Sequence, residues 1–489
     1  MILLMRRLLQ KLSTHKLSTG IKLSAQPRFT TASRYKSKYY TYVREPAHLI
    51  KYKEPKFVCP EEAFQEVLKS NQKVAIQGAA ATPNELIEAM CKVAKCKKFT
   101  GIRTYHMHTD GQLPYSEPDF DGIIRSTSFF MGGNVRKAVA AGLADKMPIF
   151  LSEIPLVFHR GMVKPDICLI HVSPPDSHGY CTLGTSVDCV RAAMVASKYI
   201  VALINCQMPR TFGDSIVHIS HIDFAVEIDR KLPSHKSKPP SKEEVQIGKH
   251  VAENIVEDGA TLQMGIGSIP DAVLAALTGH KNLGIHSEMF SDGILPLVEK
   301  GCITNNMKKY HQGRTVGSFL VGSEKLYKFV DDNPSIEMLV VDYVNNNDVI
   351  KALPKMTAIN TCIEVDLTGQ VCSDSIGTRM YSGFGGQLDF LRGSAEAYDG
   401  KGKPILALKS MTSKGESKIV PLLKPGAGVV TTRGHVHFIV TEHGVANLFG
   451  KNLLERAQAL INIAHPKHRE ALEKEAFKRL KRKPSRPPC

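Results

Sequence analysis

One carboxylate in this 489-residue chain has the surroundings expected of a nucleophile. Glu288 stands in the stretch Leu283-Gly-Ile-His-Ser-Glu-Met-Phe-Ser-Asp-Gly293, at the end of a short apolar run and just before a predicted helix start. Two glycine-rich stretches accompany it, Gly265-Ile-Gly-Ser-Ile-Pro270 and Gly383-Phe-Gly-Gly-Gln-Leu-Asp-Phe390. A carboxylate flanked by exposed backbone amides suits acyl transfer from a thioester, because amides stabilise the oxyanion that forms.

Each glycine stretch also has a purely structural interpretation. The Gly265 stretch lacks the third glycine of a dinucleotide fingerprint and the Gly-Lys-Ser/Thr of a Walker loop. At the start of a helix it can still cradle a phosphate, or let a pantetheine arm approach the backbone. The Gly383 stretch exposes amides suited to an oxyanion hole, and its alternative is a tight turn from strand to helix.

Other polar residues follow predicted strands. Glu442 stands in Thr441-Glu-His-Gly444, where an acid is more often the first residue of a helix than a catalytic group. Asn345 and Asn346 follow Val341-Asp-Tyr-Val344, and clusters of this kind usually form turns.

Two familiar site types are not supported by the sequence. His106 and His108 fit one face of a strand, but no third ligand has a convincing spacing, so no metal site is predicted. The Gly-x-Ser-x-Gly elbow of serine esterases is absent, since Gly267-Ser268-Ile269-Pro270 lacks the trailing glycine.

An internal repeat indicates how these residues are positioned. The stretch Val74-Ala-Ile-Gln-Gly-Ala-Ala-Ala-Thr-Pro-Asn-Glu85 predicts a strand, a loop and a helix, with Thr82 as N-cap and Glu85 completing a capping box. Thr261–Asp271 repeats the pattern without a gap and places Gln263 against Gln77. The repeat favours two related α/β halves, although strand–glycine–helix turns are common enough for a chance match.

A linker and a set of apolar runs complete the predicted organisation. Lys231-Leu-Pro-Ser-His-Lys-Ser-Lys-Pro-Pro240 is typical of a linker, and Ser241 then starts a helix with a capping box. Continuous apolar runs bounded by turn residues predict buried parallel strands, beyond whose carboxyl ends ligands bind. These runs are Ile149–Leu151, Ile167–Val172, Tyr199–Ile204, Thr315–Leu320, Met338–Val341, Ile405–Leu408 and Phe438–Thr441.

The net charge of +17 does not predict nucleic-acid binding, because the excess lies at the two ends. Residues 1–44 contain ten Lys or Arg and no acid, and the tail 478–489 contains six more bases. The remaining body has 48 bases against 47 acids, which leaves no basic stripe to hold a phosphate backbone. No window is apolar over 18 residues, so no membrane span or membrane partner is predicted.

The basic N-terminal segment predicts a subcellular location. Met1-Ile-Leu-Leu-Met-Arg-Arg-Leu-Leu-Gln-Lys-Leu12 can form a basic amphipathic helix, and Ser, Thr and Arg follow without acids. This composition favours a mitochondrial presequence over residues 1–44 and a matrix location, and the alternative is a disordered basic arm. Eleven cysteines without a Cys-x-x-Cys pair fit free thiols in a reducing compartment.

Many short motifs over roughly residues 45–475 carry a family resemblance. They are Met131-Gly-Gly-Asn134, Val172-Ser-Pro-Pro-Asp176, His178-Gly-Tyr-Cys181, Gln207-Met-Pro-Arg-Thr211, Gly265-Ile-Gly-Ser-Ile-Pro270, Gly284-Ile-His-Ser-Glu-Met289, Val341-Asp-Tyr-Val-Asn-Asn346, Gly385-Gly-Gln-Leu-Asp-Phe390, Thr441-Glu-His-Gly444 and Ala459-Leu-Ile-Asn-Ile-Ala-His-Pro466. In these motifs the chain resembles the acetyl-CoA hydrolase/transferase family, and within it 4-hydroxybutyrate and mitochondrial acetate:succinate CoA-transferases.

The resemblance implies a fold and an activity. The fold would be two related CoA-transferase-type α/β domains, 45–235 and 241–477, with mostly parallel sheets and the active site between them. The activity would be transfer of CoA between a short-chain acyl-CoA and a carboxylate such as acetate, succinate or 4-hydroxybutyrate, in acetate metabolism. The alternatives are acetyl-CoA hydrolysis and a non-catalytic protein that binds CoA or a nucleotide with the same loops. A homodimer is expected, with CoA as substrate and no further cofactor.

The resemblance also assigns roles to residues. Glu288 would be the nucleophile, Gly385 and Gly386 would supply oxyanion amides, and Asn345 or Asn346 would lie near the acyl carboxylate. The residues implied to bind CoA are Gly265, Ile266, Gly267, Ser268 and Gly383. Glu442 and Gln207 would contact the carboxylate or acyl group.

Overall fold

The computed structural model of the chain describes residues 45–235 and 239–481. The predicted presequence and residues 482–489 of the predicted basic tail lie outside the described residues, as do three residues of the predicted linker, 236–238. The α/β class with mostly parallel sheets is confirmed. The division into domains 45–235 and 241–477 stays a prediction.

The first sheet has eight strands, and every neighbouring pair in it is parallel. Its central strands are mostly apolar and almost entirely buried, as expected for a parallel sheet covered on both faces. In spatial order the strands are Lys56–Phe57, Phe224–Ile228, Tyr199–Asn205, Ile167–Val172, Lys73–Ile76, Ile102–His106, Ile124–Ser128 and Asp145–Lys146.

The second sheet has six strands and is parallel except for its last pair. In spatial order they are Gly284–Ile285, Thr261–Met264, Thr357–Thr361, Lys403–Ala407, Phe438–Thr441 and Gly444–Asn447. The strand Gly284–Ile285 leads directly to Glu288, and the strand Thr261–Met264 beside it carries Gln263. The edge of this sheet therefore positions the predicted nucleophile.

Short sheets connect the rest of the chain. A three-stranded sheet joins Phe212–Gly213, from the first half, to Ile336–Met338 and Thr315–Gly317. The strand Met289–Phe290, immediately after Glu288, pairs with Phe319–Leu320. The remaining small sheets are Ile216–His218 with Tyr180–Thr182; Val371–Cys372, Glu364–Asp366 and Ile419–Val420; and Ser375–Ile376 with Arg379–Met380.

The remaining regular elements are fourteen α-helices and five short 3₁₀ turns within the described residues. The α-helices are Pro60–Val67, Asn84–Cys96, Arg136–Ala140, Ile154–His159, Val190–Ala196, Lys242–Asn254, Ser268–Ala276, Leu295–Glu299, Glu324–Val330, Val341–Val344, Asn347–Lys351, Gln387–Ala395, Leu453–Asn462 and Pro466–Leu480. Short 3₁₀ turns are Pro114–Ser116, Pro118–Phe120, Leu151–Glu153, Ile219–His221 and Asp292–Ile294. Within residues 45–235 and 239–481, no helix is both long enough and apolar enough to cross a bilayer.

One predicted cap is confirmed and another is wrong. Ser241 and Glu244 form the capping box of the helix Lys242–Asn254. The helix predicted to begin at Pro83 begins one residue later, at Asn84, with Pro83 in the N-cap position. The Thr82 hydroxyl instead donates to the Ala79 carbonyl at 2.7 Å, and Glu85 pairs with Arg230. A local turn and a distant cation therefore replace the capping box.

Candidate active site

Glu288 occupies the link between two strands that belong to different sheets. Its backbone carbonyl accepts hydrogen bonds from the amides of Ser318 and Phe319, both at 3.0 Å. Two residues earlier, the amide of His286 donates to the Leu262 carbonyl at 3.0 Å. These bonds fix the backbone on both sides of the side chain, so the carboxylate has a defined position.

The Glu288 carboxyl is buried, and only part of its hydrogen-bonding capacity is used by protein groups. The residue is 7% exposed, and Gln263 Nε2 lies 3.5 Å from its Oε1. Among the residues that the structure describes, none forms a hydrogen bond with its Oε2. Burial raises the pKa of Glu288 to about 8; the nearby Asp389 adds to the rise, and the Glu288 backbone amide and Gln263 oppose it. A strongly perturbed carboxyl in a cleft is typical of a functional site.

Gln263 is a site residue that the sequence interpretation missed. Its amide is fixed by a reciprocal pair with Asn360, in which Asn360 Nδ2 donates to Gln263 Oε1 at 2.9 Å and Gln263 Nε2 donates back at 3.2 Å. The signal was available in the internal repeat, where Gln263 matches Gln77. Gln77 is likewise buried, and it donates to the carbonyls of Leu183 and Ser186.

The second glycine stretch approaches Glu288 closely. Gly386 immediately precedes the helix Gln387–Ala395 and has φ −93°, which any residue can adopt. A Cβ at this position would stand 2.2 Å from Asn345 Nδ2 and 3.3 Å from Glu288 Cδ. Gly385 has φ +58°, a left-handed conformation that favours glycine. The stretch is thus a turn from strand to helix, and its Gly386 backbone packs close to the Glu288 carboxyl.

Residues of the first half hold this glycine loop, defined as 381–386. Arg136 Nε donates to the Tyr381 carbonyl at 2.6 Å, and its guanidinium lies 3.9 Å from the Tyr381 ring centre. The Leu151 amide donates to the Gly385 carbonyl at 3.0 Å. Lys146 and Asp374 form a buried ion pair at 2.6 Å, and the Asp374 carbonyl accepts from the Tyr381 amide.

The structure separates the two adjacent asparagines. Asn345 is fully buried, and its Nδ2 donates to Asp389 Oδ2 at 3.1 Å. Asn346 is exposed and caps the helix Asn347–Lys351 by accepting from the Asp348 amide at 2.8 Å. Of the two, Asn345 is the residue beside Gly386 and Glu288.

A cavity of about 390 Å³ opens onto this arrangement. Among the predicted site residues, those that line it are Glu288, Gly265, Ile266, Gly383, Gly385 and Gly386. Its wall also contains two residues that sequence reasoning did not select for this site, His108 and Arg136. His108 packs edge-on against Phe319, with ring centres 5.3 Å apart. Its buried Nε2 has no hydrogen-bond partner within residues 45–235 and 239–481.

Other predicted residues lie outside the lining of that cavity. The Ser268 hydroxyl, at the start of its helix, donates to Glu244 at 2.7 Å, and Gly267 precedes it with φ +127°. Glu442 accepts from the amide of Ser410 at 2.9 Å. Gln207 lines a separate cavity and donates to Asp229 at 2.7 Å. The structure does not bring these side chains to the Glu288 carboxyl, and their predicted roles stay predictions.

No group of three or more His, Cys, Asp or Glu residues with metal-binding geometry occurs in the part of the chain that the structure describes. His106 is held by its own neighbours instead, since its ring nitrogens contact the Met107 carbonyl and the Ser126 hydroxyl. Burial lowers the pKa of His106 to about 4, so its ring is neutral near pH 7.

Comparisons with known proteins agree with the geometry. Residues 47–234 match the model of the acetyl-CoA hydrolase/transferase N-terminal domain, and residues 322–476 match that of the C-terminal domain. The chain is 52% identical to a succinyl-CoA:acetate/propanoyl-CoA:succinate CoA transferase of Fasciola hepatica, over 93% of this chain and 95% of the relative. It is 46% identical to a 4-hydroxybutyrate coenzyme A transferase of Clostridium kluyveri, over 88% of this chain and 98% of the relative.

A solved structure is similar in the same way. The crystal structure of a 4-hydroxybutyrate CoA-transferase from Porphyromonas gingivalis superposes with a TM-score of 0.74 at 38% identity. The superposition covers 87% of this chain and 98% of that protein. Both the sequence and the arrangement of strands are therefore shared over almost the whole described part of the chain.

Proposed function

We propose that this chain, which belongs to the acetyl-CoA hydrolase/transferase family, transfers coenzyme A between a short-chain acyl-CoA and a free carboxylate. The acceptors that we propose are acetate, succinate or 4-hydroxybutyrate, the acids named in its relatives at 46–52% identity. The observation that carries the proposal is the buried Glu288 carboxyl, which lies against Gly386 and Asn345 in the wall of the 390 Å³ cavity.

A carboxylate nucleophile suits this reaction better than a hydroxyl or thiol. A Ser or Cys nucleophile would carry the acyl group, whereas a carboxylate can itself become the CoA thioester. The free energy of the thioester is then kept on the enzyme while the first acid leaves and the second one enters. Burial of Glu288 supports this route, because a dry site keeps water away from a reactive intermediate.

The proposed path runs through two anhydrides. The Glu288 carboxylate attacks the acyl-CoA carbonyl, and the CoA thiolate leaves to give a mixed anhydride. The thiolate then attacks the Glu288 carbonyl carbon, which releases the free acid as its carboxylate and forms glutamyl-CoA. The acceptor carboxylate attacks this thioester, the thiolate leaves again, and its attack on the acceptor's acyl carbon regenerates the Glu288 carboxylate.

Groups around the carboxyl have distinct proposed parts in this path. Backbone amides of the Gly385–Gly386 turn and the Asn345 amide would stabilise the oxygens that gain charge, and Gln263 would hold one carboxyl oxygen. Gly265 and Ile266 would meet the CoA moiety, since they lie in the same wall and Ile266 is 49% exposed. CoA enters and leaves as a substrate in this path, and the path uses no further cofactor.

Chemical trapping tests the nucleophile. Purified enzyme is incubated with acyl-CoA and treated with borohydride, which reduces a thioester to an alcohol and leaves a free carboxylate untouched. We expect inactivation that depends on acyl-CoA, protection by excess acceptor acid, and a modified peptide that spans Gly284 to Gly293. Glu288→Ala should abolish transfer with the fold intact, and retention of a tenth or more of the wild-type turnover would remove Glu288 from this role.

The same assay separates transfer from hydrolysis. A transferase releases free acid only up to the amount of enzyme when no acceptor is present, whereas a hydrolase continues to turn over. The transferase is favoured because the relatives at 46–52% identity are named CoA transferases. Continuous release of CoA without an acceptor acid would establish the hydrolase instead.

Location and assembly belong to the same proposal. The acid-free basic composition of residues 1–44 supports import into the mitochondrial matrix and cleavage of this segment, with the Arg28 to Arg34 region as the proposed cut site. A reporter fused to residues 1–44 should collect in mitochondria, and an even cytosolic distribution would defeat the idea. The homodimer expected from the family resemblance stays a prediction, and sedimentation equilibrium of the mature protein tests it.

A further inference from the structure

A second buried carboxylate lies behind the proposed catalytic amide. Asp389, in the first turn of the helix Gln387–Ala395, is 6% exposed. Three donors surround it: the Ser152 amide at 3.2 Å, the Ser152 hydroxyl at 2.9 Å and Asn345 Nδ2 at 3.1 Å. Ser152 comes from the 3₁₀ turn Leu151–Glu153, so a segment of the first half fixes this carboxylate.

An ionised carboxylate only accepts hydrogen bonds, and this restricts the orientation of Asn345. A primary amide has a donating and an accepting end, and its neighbours decide which end faces them. Asp389 therefore selects the NH₂ end of Asn345. The reversed amide would place its oxygen against Asp389 Oδ2, with two acceptors facing each other in a buried site.

The selected orientation leaves one N–H directed away from Asp389. The Asn345 nitrogen bears two hydrogens, of which the carboxylate takes one. The same nitrogen and Glu288 Cδ both lie within 3.3 Å of one point, the place that a Gly386 Cβ would occupy. The second N–H is therefore not taken by Asp389, and its nitrogen adjoins the same point as the Glu288 carboxyl carbon.

We infer that Asp389, held by Ser152, is a positioning residue that fixes the Asn345 amide as a hydrogen-bond donor to the reacting carbonyl groups at Glu288. The inference rests on the proposed role of Glu288 as the nucleophile. Asp389 touches neither substrate nor CoA in this scheme; it acts through Asn345. An unoriented amide would present its oxygen to a developing oxyanion part of the time, and the repulsion would raise the barrier.

The charge of Asp389 has a second, opposite consequence. It raises the pKa of the Glu288 carboxyl, and burial raises its own pKa to about 6. Glu153, beside Ser152, raises the pKa of Asp389 further, while its hydrogen bonds to Asn345 and Ser152 lower it. On the other side of Glu288, His108 and Arg136 line the cavity. Removal of the Asp389 charge should therefore ease ionisation of Glu288 while it weakens the oriented amide.

The test compares Asp389→Asn with the wild type in a rapid-quench assay. Acetyl-CoA is the donor, and the borohydride-trapped fraction counts active sites. We expect the rate of thioester formation per active site to fall about tenfold to a hundredfold. This decrease is somewhat smaller than the one caused by removal of a whole oxyanion donor. The KM for acetyl-CoA should stay within about threefold, and the pH midpoint of thioester formation should move to lower pH.

A matched control separates positioning from folding. Asp366 is similarly buried, but its carboxylate accepts from Thr368, Gln370 and Arg479 instead of from Ser152 and Asn345. Asp366→Asn should lower the melting temperature and leave both the per-site rate and the pH midpoint unchanged. An unchanged per-site rate or an unmoved pH midpoint in Asp389→Asn would overturn the inference.

A fallback variant keeps the inference testable if Asp389→Asn does not fold. Ser152→Ala removes one donor to Asp389 and retains the carboxylate. We expect a smaller loss of per-site rate, in the same step and at unchanged KM, and a wild-type rate would overturn the inference. Failure of the wild-type enzyme to form any trapped thioester would instead remove the proposed function, so the two failures are distinguishable.

Discussion

A single methyl group added at Gly386 should damage the chemical step. Gly386→Ala introduces no backbone strain, since φ is −93° at this position. The new Cβ would lie 2.2 Å from Asn345 Nδ2, well inside the contact limit, so the amide or the loop must move. Asn345 is fully buried and bonded to Asp389, so it has little room to yield.

The size of the effect follows from the displacement. Relief of the contact requires a movement of about 1 Å, and a misplacement of that size can lower a rate about a hundredfold. Loss of one oxyanion donor costs about 2.7–4 kcal/mol in comparable sites, or about a hundredfold to a thousandfold in kcat. We therefore expect kcat to fall by about two orders of magnitude, with the KM for acyl-CoA nearly unchanged.

Steady-state kinetics with acetyl-CoA and succinate measures kcat and the KM for acyl-CoA. Single-turnover trapping of the enzyme thioester then measures the chemical step directly. Gly279→Ala is the matched control, because Gly279 is exposed and an added Cβ would meet nothing within 4 Å. A Gly386→Ala enzyme with normal kcat and a raised KM would refute the reasoning, and would make the loop a binding element for CoA.

Three further outcomes are expected. The folded state favours the neutral form of Glu288, because burial raises its pKa from 4.5 to about 8. The free energy of unfolding of the wild type should therefore decrease as the pH rises from about 4.5 to about 8. The loss is at most about 1.4 kcal/mol for each unit by which the folded-state pKa exceeds the unfolded-state pKa. Glu288→Gln, which has no proton to lose, should melt higher than the wild type at pH 8.5 and level with it at pH 4.5; equal differences at both pH values would contradict the burial argument. The attacking group must be ionised, so kcat/KM should rise with pH to a plateau above about pH 8, and a flat profile from pH 6 to 9 would exclude Glu288 as the group that titrates. Lys146→Met should lower the free energy of unfolding by about 3–5 kcal/mol, because it leaves Asp374 buried without its cation. Chemical denaturation measures this loss, and the double variant Lys146→Met/Asp374→Leu should recover stability if the unpaired charge is its cause.

The sequence predicted local structure well where a strand is continuous and buried. The bounds of Ile167–Val172 and Phe438–Thr441 agree with the structure, and Tyr199–Ile204 is one residue short. The run Ile149–Leu151 is not a strand. Leu151 begins a 3₁₀ turn, its backbone amide donates to the Gly385 carbonyl, and its buried side chain belongs to the hydrophobic core.

Two other strand predictions failed in part, for similar reasons. The run Thr315–Leu320 breaks after Gly317, and its two pieces pair in different sheets. The run predicted from Met338 to Val341 ends as a strand at Met338, and a short helix begins at Val341. That helix carries Asn345 to the site. Apolar composition alone does not distinguish a strand from the start of a buried helix.

The site could be predicted only as far as its local motifs extended. Glu288 and the two glycine stretches stood out, because chemistry requires unusual residue types at short spacing. Gln263 and Asp389 did not, since their importance depends on what lies opposite them: Glu288 for the first, and Ser152 with Asn345 for the second. Such contacts join segments far apart in sequence, and a single sequence carries no record of those distances.

The high pKa of Glu288 is consistent with a transferase, because Glu288 becomes a neutral thioester before the acceptor carboxylate brings its negative charge into the cavity. Burial raises the pKa of Glu288 to about 8, so the site disfavours the charged form of this carboxyl before substrate binds. In the proposed intermediate Glu288 is a neutral thioester, so the acceptor carboxylate enters a cavity that no longer holds the resident charge. The acceptor would be repelled if Glu288 were still ionised, because two carboxylates in a dry site cannot both ionise readily. Because only the ionised form of Glu288 attacks the donor and that form disfavours a second carboxylate nearby, this charge argument favours reaction of the donor before the acceptor enters.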